Sequence, residues 1–378
     1  MRRSGRAGKS GDMKIAIVHD YLNQFGGAER VISALNEIYP EAPIYTSIYD
    51  GKKMPANFNR MDIRLSFMQN LPLVFPFFKF YFLFYPLAFE RFDLSSYEVI
   101  LSSSSAFAKG VKKTGNQLHL CYCYTPMRFA WRYEDYVKRE EIPGWLKGLL
   151  PYFLEPIKKW DRQNSQGVDY FIAISGAVAE RVKKIYGRES VIIYPPVDCA
   201  YFQPSNLDRD YYLVVSRLNH YKRIDIVIEA FNELDLPLKI IGDGPARRSL
   251  ERLAHSNIEF LGSCRDQELA SYLAECRALV FPGEEDFGIA PMEAMSCGRP
   301  VIAYKAGGAL ETIVEGETGL FFLSQTPQAL IQAVMRFKFE RFDKKKIRQH
   351  ALKYDKAIFK RKIEGFVKEK YEERFAKN

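Results

Sequence analysis

Apolar positions along this chain follow two rhythms. Residues 14–18 (Lys14-Ile15-Ala16-Ile17-Val18), 211–215, 278–281 and 301–304 are short, nearly continuous apolar runs of the length expected for buried strands. Between them lie longer stretches in which apolar residues recur every three or four positions, as in residues 28–38 and 224–234, which predicts helices with one buried face. Each half of the chain opens with a strand, passes through a glycine turn or basic loop, and enters a helix. Strands and helices then alternate. That order predicts an α/β fold built from two doubly wound, Rossmann-like parallel sheets. The extended segment Tyr194-Pro195-Pro196-Val197-Asp198 is the expected linker, giving domains at 13–196 and 197–354 with residues 355–378 as a closing helical segment.

One stretch breaks the rhythm. Residues 71–89, LPLVFPFFKFYFLFYPLAF, contain a single charge, Lys79. The length would suffice for a bilayer span, but Pro72, Pro76 and Pro86 interrupt it, and spanning would split a domain. Two readings stay open: a buried helix, or partial insertion into a membrane interface, where aromatic side chains are well placed. Residues 145–153, from Trp145 to Phe153, could extend the same apolar face.

Composition narrows the class. With 378 residues, 47% hydrophobic and 27% charged, the chain has the make-up of a soluble globular protein of two domains. Its six cysteines are scattered without a C-x-x-C pair, so neither a zinc site nor a disulfide framework is indicated, and a reducing cytoplasm fits. The first twelve residues carry Arg2, Arg3, Arg6 and Lys9 with no apolar core behind them; they are expected to be a disordered leader. Net charge is +9, and residues 336–378 hold 16 Lys/Arg against 7 Asp/Glu, an excess equal to that of the whole chain. Such a face either meets an anionic surface or is simply solvated. No nucleic-acid recognition motif accompanies it.

Candidate chemistry gathers at the expected strand ends. After the strand 278–281 come Glu285 and, eight positions on, Glu293, with Phe287-Gly288-Ile289 between them and a small-residue helix, 291–297, ended by Gly298. Open α/β sheets bind ligands at the carboxyl ends of their strands, and a helix start offers free N–H donors. Arg217 and Lys222 stand five apart just after the strand 211–215. Gly26-Gly27 closes the first strand; a glycine pair before a helix can cradle phosphate or sugar, or be a plain tight turn. Gly242, in Gly242-Asp243-Gly244-Pro245, and Gly262 follow two further strands and could shape a nucleotide pocket or serve as turns. No G-x-G-x-x-G follows a strand, which disfavours a dinucleotide enzyme.

Taken together, Arg217, Lys222 and the E-x7-E pair Glu285/Glu293 resemble the signature of retaining GT-B glycosyltransferases of family 4, the glycosyl transferases group 1. The opening His19-Asp20-Tyr21…Gly26-Gly27-Ala28-Glu29-Arg30 is similar to theirs as well. The resemblance implies two domains facing across a cleft and a final helix that crosses back to the first domain. It implies that Arg217 and Lys222 hold the donor diphosphate. Glu285, with the backbone N–H groups of Phe287, Gly288 and Ile289, would hold the donor sugar, and Glu293 the ribose. The flanking residues 282–289 resemble mannosyltransferases of bacterial surface-polysaccharide assembly. Expected substrates are therefore a nucleotide diphosphate sugar, GDP-mannose first, and a saccharide or lipid-linked saccharide acceptor at the cytoplasmic face of a membrane. No cofactor, no metal and no nucleic acid are expected.

One position departs from the resembled pattern. In Cys123-Tyr124-Thr125-Pro126, a histidine is expected where Tyr124 stands. A tyrosine with an ordinary pKa near 10 is a poor base at neutral pH. Either the departing phosphate serves as base or catalysis is impaired, leaving a nucleotide-sugar-binding protein. An epimerase of the same fold is a further alternative, against which the E-x7-E setting speaks. His119, five residues upstream, is expected on the opposite strand face and cannot simply replace the missing side chain.

Overall fold

The computed structural model describes residues 13–133 and 144–375; the leader at 1–12 lies outside them, as do the side chains of 144–150. The first domain is a seven-stranded parallel sheet in the order β3-β2-β1-β4-β5-β6-β7. Its strands are β1 (Ile15–His19), β2 (Ile44–Thr46), β3 (Ile63–Leu65), β4 (Val99–Ser104), β5 (Leu118–Cys123), β6 (Tyr170–Ala173) and β7 (Ser190–Ile192). The second is a six-stranded parallel sheet, β10-β9-β8-β11-β12-β13. It comprises β8 (Tyr212–Val215), β9 (Leu238–Ile241), β10 (Ile258–Gly262), β11 (Leu279–Phe281), β12 (Val301–Tyr304) and β13 (Gly319–Phe322). In each sheet the strand order reverses beside the first strand, between β1 and β4 and between β8 and β11. Those two crevices are where side chains and loops can approach a ligand without disturbing the sheet.

The central strands are buried on both faces; β1 up to Val18 and β11 accordingly read as continuous apolar runs, whereas β4 and β5 also bury Ser102, Ser103, Ser104 and His119. The helix Gly27–Ile38 lays Val31, Ile32, Ala34 and Leu35 onto the first sheet. The helix Ile224–Leu234 does the same on the second with Ile224, Val227, Ile228 and Phe231. Two chain crossings join the domains, and they run side by side: Val197 N–H donates to the Tyr354 carbonyl at 3.1 Å, and Lys356 N–H to the Val197 carbonyl at 2.8 Å. After the second crossing the helix Lys356–Phe375 packs on Gly27–Ile38 and on β5. Phe359 meets the Tyr122 ring edge-on at 5.7 Å, and Tyr371 donates to Glu98 Oε1 at 3.0 Å.

Residues 71–89 are not one buried helix. They break into Val74–Phe77, a 3-10 turn Phe78–Tyr81 and Tyr85–Glu90, with Leu73 left-handed at φ 49°. Pro76 and Pro86 stand in the first turns of these short helices, where no intrahelical N–H is lost, and their rings keep the helices from continuing toward the N-terminus. Val74, Tyr85, Ala88 and Phe89 turn inward, while Leu73, Phe77, Phe80, Leu83, Phe84 and Leu87 face outward. Among the described residues no helix is long and apolar enough to cross a membrane.

Candidate functional site

The second-domain wall of the cleft is built on the ends of β8 and β11. Arg217 leaves β8 and reaches across: its Nη1 donates to Gln24 Oε1 of the first domain at 3.1 Å. Five residues on, Lys222 ends a short 3-10 turn, and its ammonium touches the Glu285 carboxylate, which comes from the loop after β11. Burial, then the guanidinium charges of Arg217 and Arg128, pull the Lys222 ammonium down to about 7, with Asp286 opposing the shift. Contact with Glu285 also favours the charged form. An ammonium so placed gains most from an arriving anion.

Three glycine contacts set the backbone around these groups. Gly242, at φ 134°, is hydrogen-bonded to the Gly262 carbonyl (2.8 Å) and lies against the Ser216 carbonyl, where any Cβ would collide. This packs the turn after β9 directly against the residue preceding Arg217. Gly288, at φ 89°, turns the chain into the helix Ile289–Ser296. Gly308 N–H donates to the Glu285 carbonyl at 2.8 Å, fixing the Glu285 loop from the far side. Phe287 has only 3% of its surface exposed; its ring stacks on Tyr194 at 5.7 Å, and its backbone packs against Gly308.

Glu293 is buried on the same helix. Arg30 of the first domain approaches it at 3.7 Å and also pairs with Asp266 at 3.1 Å. Burial raises the Glu293 carboxyl above its ordinary pKa, against the pull of Arg30. Gly26 caps the first-domain helix in an extended conformation, and Gly27 faces Ile289 so closely that a Cβ would come to 2.7 Å of its Cδ1. The structure thus brings Gly26, Gly27, Arg217, Lys222, Glu285, Phe287, Gly288, Ile289 and Glu293 to one cleft. Gly242 and Gly262 lie behind Arg217.

Tyr124 does not offer a free hydroxyl. It donates to the Ala28 carbonyl at 3.1 Å and pairs with Ser103 Oγ at 2.8 Å. Ser103 Oγ in turn lies 3.1 Å from His19 Nδ1, and His19 Nε2 stands 3.8 Å from Glu29. Tyr124 therefore buttresses the turn that carries Gly26-Gly27. Burial raises its hydroxyl well above the ordinary tyrosine pKa. His119 lies on the other face of the sheet, its Nε2 2.8 Å from Ser102 Oγ, and burial holds its pKa down to about 3.

Several cleft residues were not singled out by the sequence. Asp286 is held by Arg128 and Arg181 of the first domain, each at 2.5 Å, and Glu284 by Arg132 at 3.2 Å. Glu311 accepts from Gly176 N–H at 2.8 Å and Ala177 N–H at 3.1 Å, capping a first-domain helix from the second domain. These pairs join residues far apart in sequence. Their only signal there is a charge next to an element end.

Comparison with known proteins bears on the family and the fold. Residues 201–354 match the family model of glycosyl transferases group 1. Over 210 residues the chain is 28% identical to an uncharacterized glycosyltransferase of Methanocaldococcus jannaschii, covering 54% of this chain and 60% of the relative. The D-rhamnosyltransferase WbpZ of Pseudomonas aeruginosa is 33% identical over 225 residues, 55% of this chain and 57% of its own length. A GDP-mannose-dependent phosphatidylinositol monomannoside mannosyltransferase of Mycolicibacterium smegmatis is 32% identical over 145 residues, 34% of this chain and 38% of the relative. The matches thus span less than two thirds of these relatives. The solved structure of HepE from Anabaena, in complex with UDP and glucose, superposes with a TM-score of 0.70 at 18% identity, covering 94% of this chain and 99% of that one. The second domain matches the family model of glycosyl transferases group 1, and the chain as a whole takes the two-domain GT-B fold.

Proposed function

We propose that this protein is a retaining family 4 glycosyltransferase. It moves a hexosyl group, mannosyl from GDP-mannose, from the nucleotide diphosphate sugar to a saccharide or lipid-linked saccharide acceptor, without a divalent metal or other cofactor. The observation that carries this reading is the convergence of Arg217, Lys222 and Glu285 opposite the Gly26-Gly27 turn. As the glycosidic bond to the diphosphate breaks, negative charge grows on the phosphate, and preorganised cations stabilise it. Glu285 would accept from donor sugar hydroxyls once the diphosphate draws Lys222 away. Glu293 would accept from ribose hydroxyls after exchanging its contact with Arg30. With Tyr124 engaged at Ala28 and Ser103, the leaving phosphate is the base for the acceptor hydroxyl. The mannosyl choice follows the name of the M. smegmatis relative and the residues 282–289.

The outward apolar side chains support an acceptor held at a membrane surface. Leu73, Phe77, Phe80, Leu83, Phe84 and Leu87 are exposed, as are Tyr152 and Phe153 of the helix Gly144–Ser165. Leu154 and Ile157 of that helix share an apolar cluster with Val74, Tyr85 and Phe89. The floor of this surface reaches the cleft, because Tyr21, just after β1, meets Phe78 at 5.2 Å. The protein would then work as a peripheral enzyme on the cytoplasmic face.

The test is donor binding and nucleoside diphosphate release with GDP-mannose, UDP-glucose and UDP-N-acetylglucosamine, in EDTA, with and without lipid-extract acceptor. Expected are binding of GDP-mannose and acceptor-dependent release of GDP. Failure to bind any nucleotide sugar overturns the assignment, and a dependence on added metal overturns the metal-free chemistry. The engaged Tyr124 hydroxyl favours a second reading, a binding protein without turnover; binding with no release under any acceptor would establish it. Flotation with anionic vesicles, lost in a Leu73→Ser/Phe80→Ser variant, tests the membrane surface.

A further inference from the structure

Arg128 follows the turn that leaves β5 and faces the second domain across the cleft. Its Nη2 lies 2.5 Å from Asp286 Oδ2, and Arg181 Nη2 lies 2.5 Å from the other oxygen of the same carboxylate. One carboxylate thus stands against two guanidinium groups, and one positive charge is left over. The two arginines are not equivalent. Arg181 has its remaining groups occupied: Nη1 donates to Thr125 Oγ1 at 2.8 Å, and Nε to the Ala177 carbonyl at 3.2 Å. Arg128 Nε is buried and, among the described residues, has no hydrogen-bond partner. A buried N–H on a charged group without an acceptor is costly, and protein interiors seldom leave one so. The charge of Arg128 is also felt at Lys222, together with that of Arg217. Three cations, contributed by both domains, therefore act on one part of the cleft, and the orphaned donor belongs to the one from the first domain.

We propose that Arg128 is a ligand for a phosphate group bound in the cleft, its Nε donating to a phosphate oxygen while Nη2 keeps its hold on Asp286. The inference rests on the proposed function, which places a nucleotide diphosphate between Arg217 and Lys222. It adds a first-domain cation to a site otherwise built from the second domain, so that phosphate binding itself draws the domains together. The phosphate has two sources, the donor diphosphate or a phosphorylated acceptor, and both present the same oxygens to a guanidinium.

The experiment is calorimetric titration of GDP and UDP into the full-length protein without acceptor, for the wild type, Arg128→Met, Arg181→Met and Lys222→Met, followed by inorganic phosphate into the nucleotide-saturated protein. If the phosphate is the donor's, Arg128→Met weakens nucleoside diphosphate binding about tenfold or more, in line with loss of a charge-assisted hydrogen bond. Affinity for the nucleoside alone is unchanged, and Arg181→Met, which loses a contact to the same carboxylate, stays within roughly threefold of wild type. If the phosphate is the acceptor's, nucleotide affinity is unchanged, but inorganic phosphate binds the saturated wild type and not Arg128→Met. The inference is overturned if the wild type binds nucleotide, Lys222→Met loses it, and Arg128→Met matches wild type in both titrations. Equal losses in Arg128→Met and Arg181→Met also overturn it, since both would then act only through domain closure. A wild type that binds neither nucleotide nor phosphate sinks the functional reading itself. Should Arg128→Met melt at lower temperature, Arg128→Lys supplies the check: it keeps a charge but not the Nε donor, and reduced phosphate affinity is expected.

Discussion

The two walls of the cleft are built on different principles. The second-domain wall places its cations by local geometry: Arg217 and Lys222 follow β8 within seven residues, and glycine contacts hold the surrounding loops. The first-domain wall is defined largely by what lies opposite. Arg30, Arg128 and Arg181 reach carboxylates of the other domain, and Gln24 receives Arg217. One wall is held largely by contacts within its own domain; the other is held by contacts that need the two domains face to face. A preformed site costs little ordering when a ligand arrives, whereas a closure-dependent one couples affinity to the domain equilibrium.

The comparison breaks most visibly at Lys222. Lys222→Met should lower transfer about 100-fold or more with little change in thermal stability, the scale expected for one preorganised charge donor. A variant that turns over like wild type would mean the second-domain wall is not where the chemistry happens. On the other wall, Asp286→Asn leaves Arg128 and Arg181 facing each other without their shared anion. It should destabilise the closed form by about 2 kcal/mol and enlarge the radius of gyration measured by small-angle scattering. An unchanged radius would show that the arginine pairs follow closure and do not drive it.

Tyr124→Phe removes the hydroxyl that links Ser103 to Ala28. It should slow transfer about tenfold and raise the donor KM as the glycine turn loosens, the turn being positioned by a hydrogen bond worth about 1 kcal/mol. Tyr124→His sharpens the test. Faster transfer would show that the chemistry lacks a base there, whereas a loss like that of phenylalanine would make the position architectural.

The smallest effect is a pH dependence. With Lys222 depressed to about 7 in the free protein, part of the ammonium is lost just above neutrality. A bound diphosphate favours the charged form and raises that pKa, so binding takes up a proton. Donor affinity should be constant well below pH 7 and fall by up to about tenfold per pH unit above it, levelling once the bound lysine titrates. A nucleotide sugar is the right probe, because its diphosphate diester does not itself titrate in this range. Lys222→Arg should flatten the profile, since a guanidinium keeps its proton.

What the sequence made legible follows the same division. Apolar runs ending at Val18, Val215 and Phe281 located the strand ends, and the residues just beyond them, Gly26, Arg217 and Glu285, do face one cleft. Spacing within one loop or helix turn is a local property, and sequence carries it directly. The pairing of Arg128 with Asp286 depends on how two independently folded sheets are set against each other, which no local rhythm encodes. Tyr124 was visible as a departure, but its attachment to Ala28 was not, because that contact joins β5 to a helix 96 positions earlier. In residues 71–89 the composition was plain and the outcome was not: three prolines divide the run, and which rings turn inward is decided by Tyr21 and Phe107.

The side-by-side crossings at Val197 and Lys356 also govern how this protein is made. The whole second domain is inserted between the body of the first and the helix that completes it. During synthesis, β1 to β7 leave the ribosome long before Lys356–Phe375 exists to cover Tyr122 and Tyr170. The first domain must therefore wait, with part of an apolar face open, while the second is translated and folds. Its final docking step is favoured once the intervening domain has folded, because a compact second domain returns the chain to the place it left, whereas an unfolded one adds a loop-closure cost.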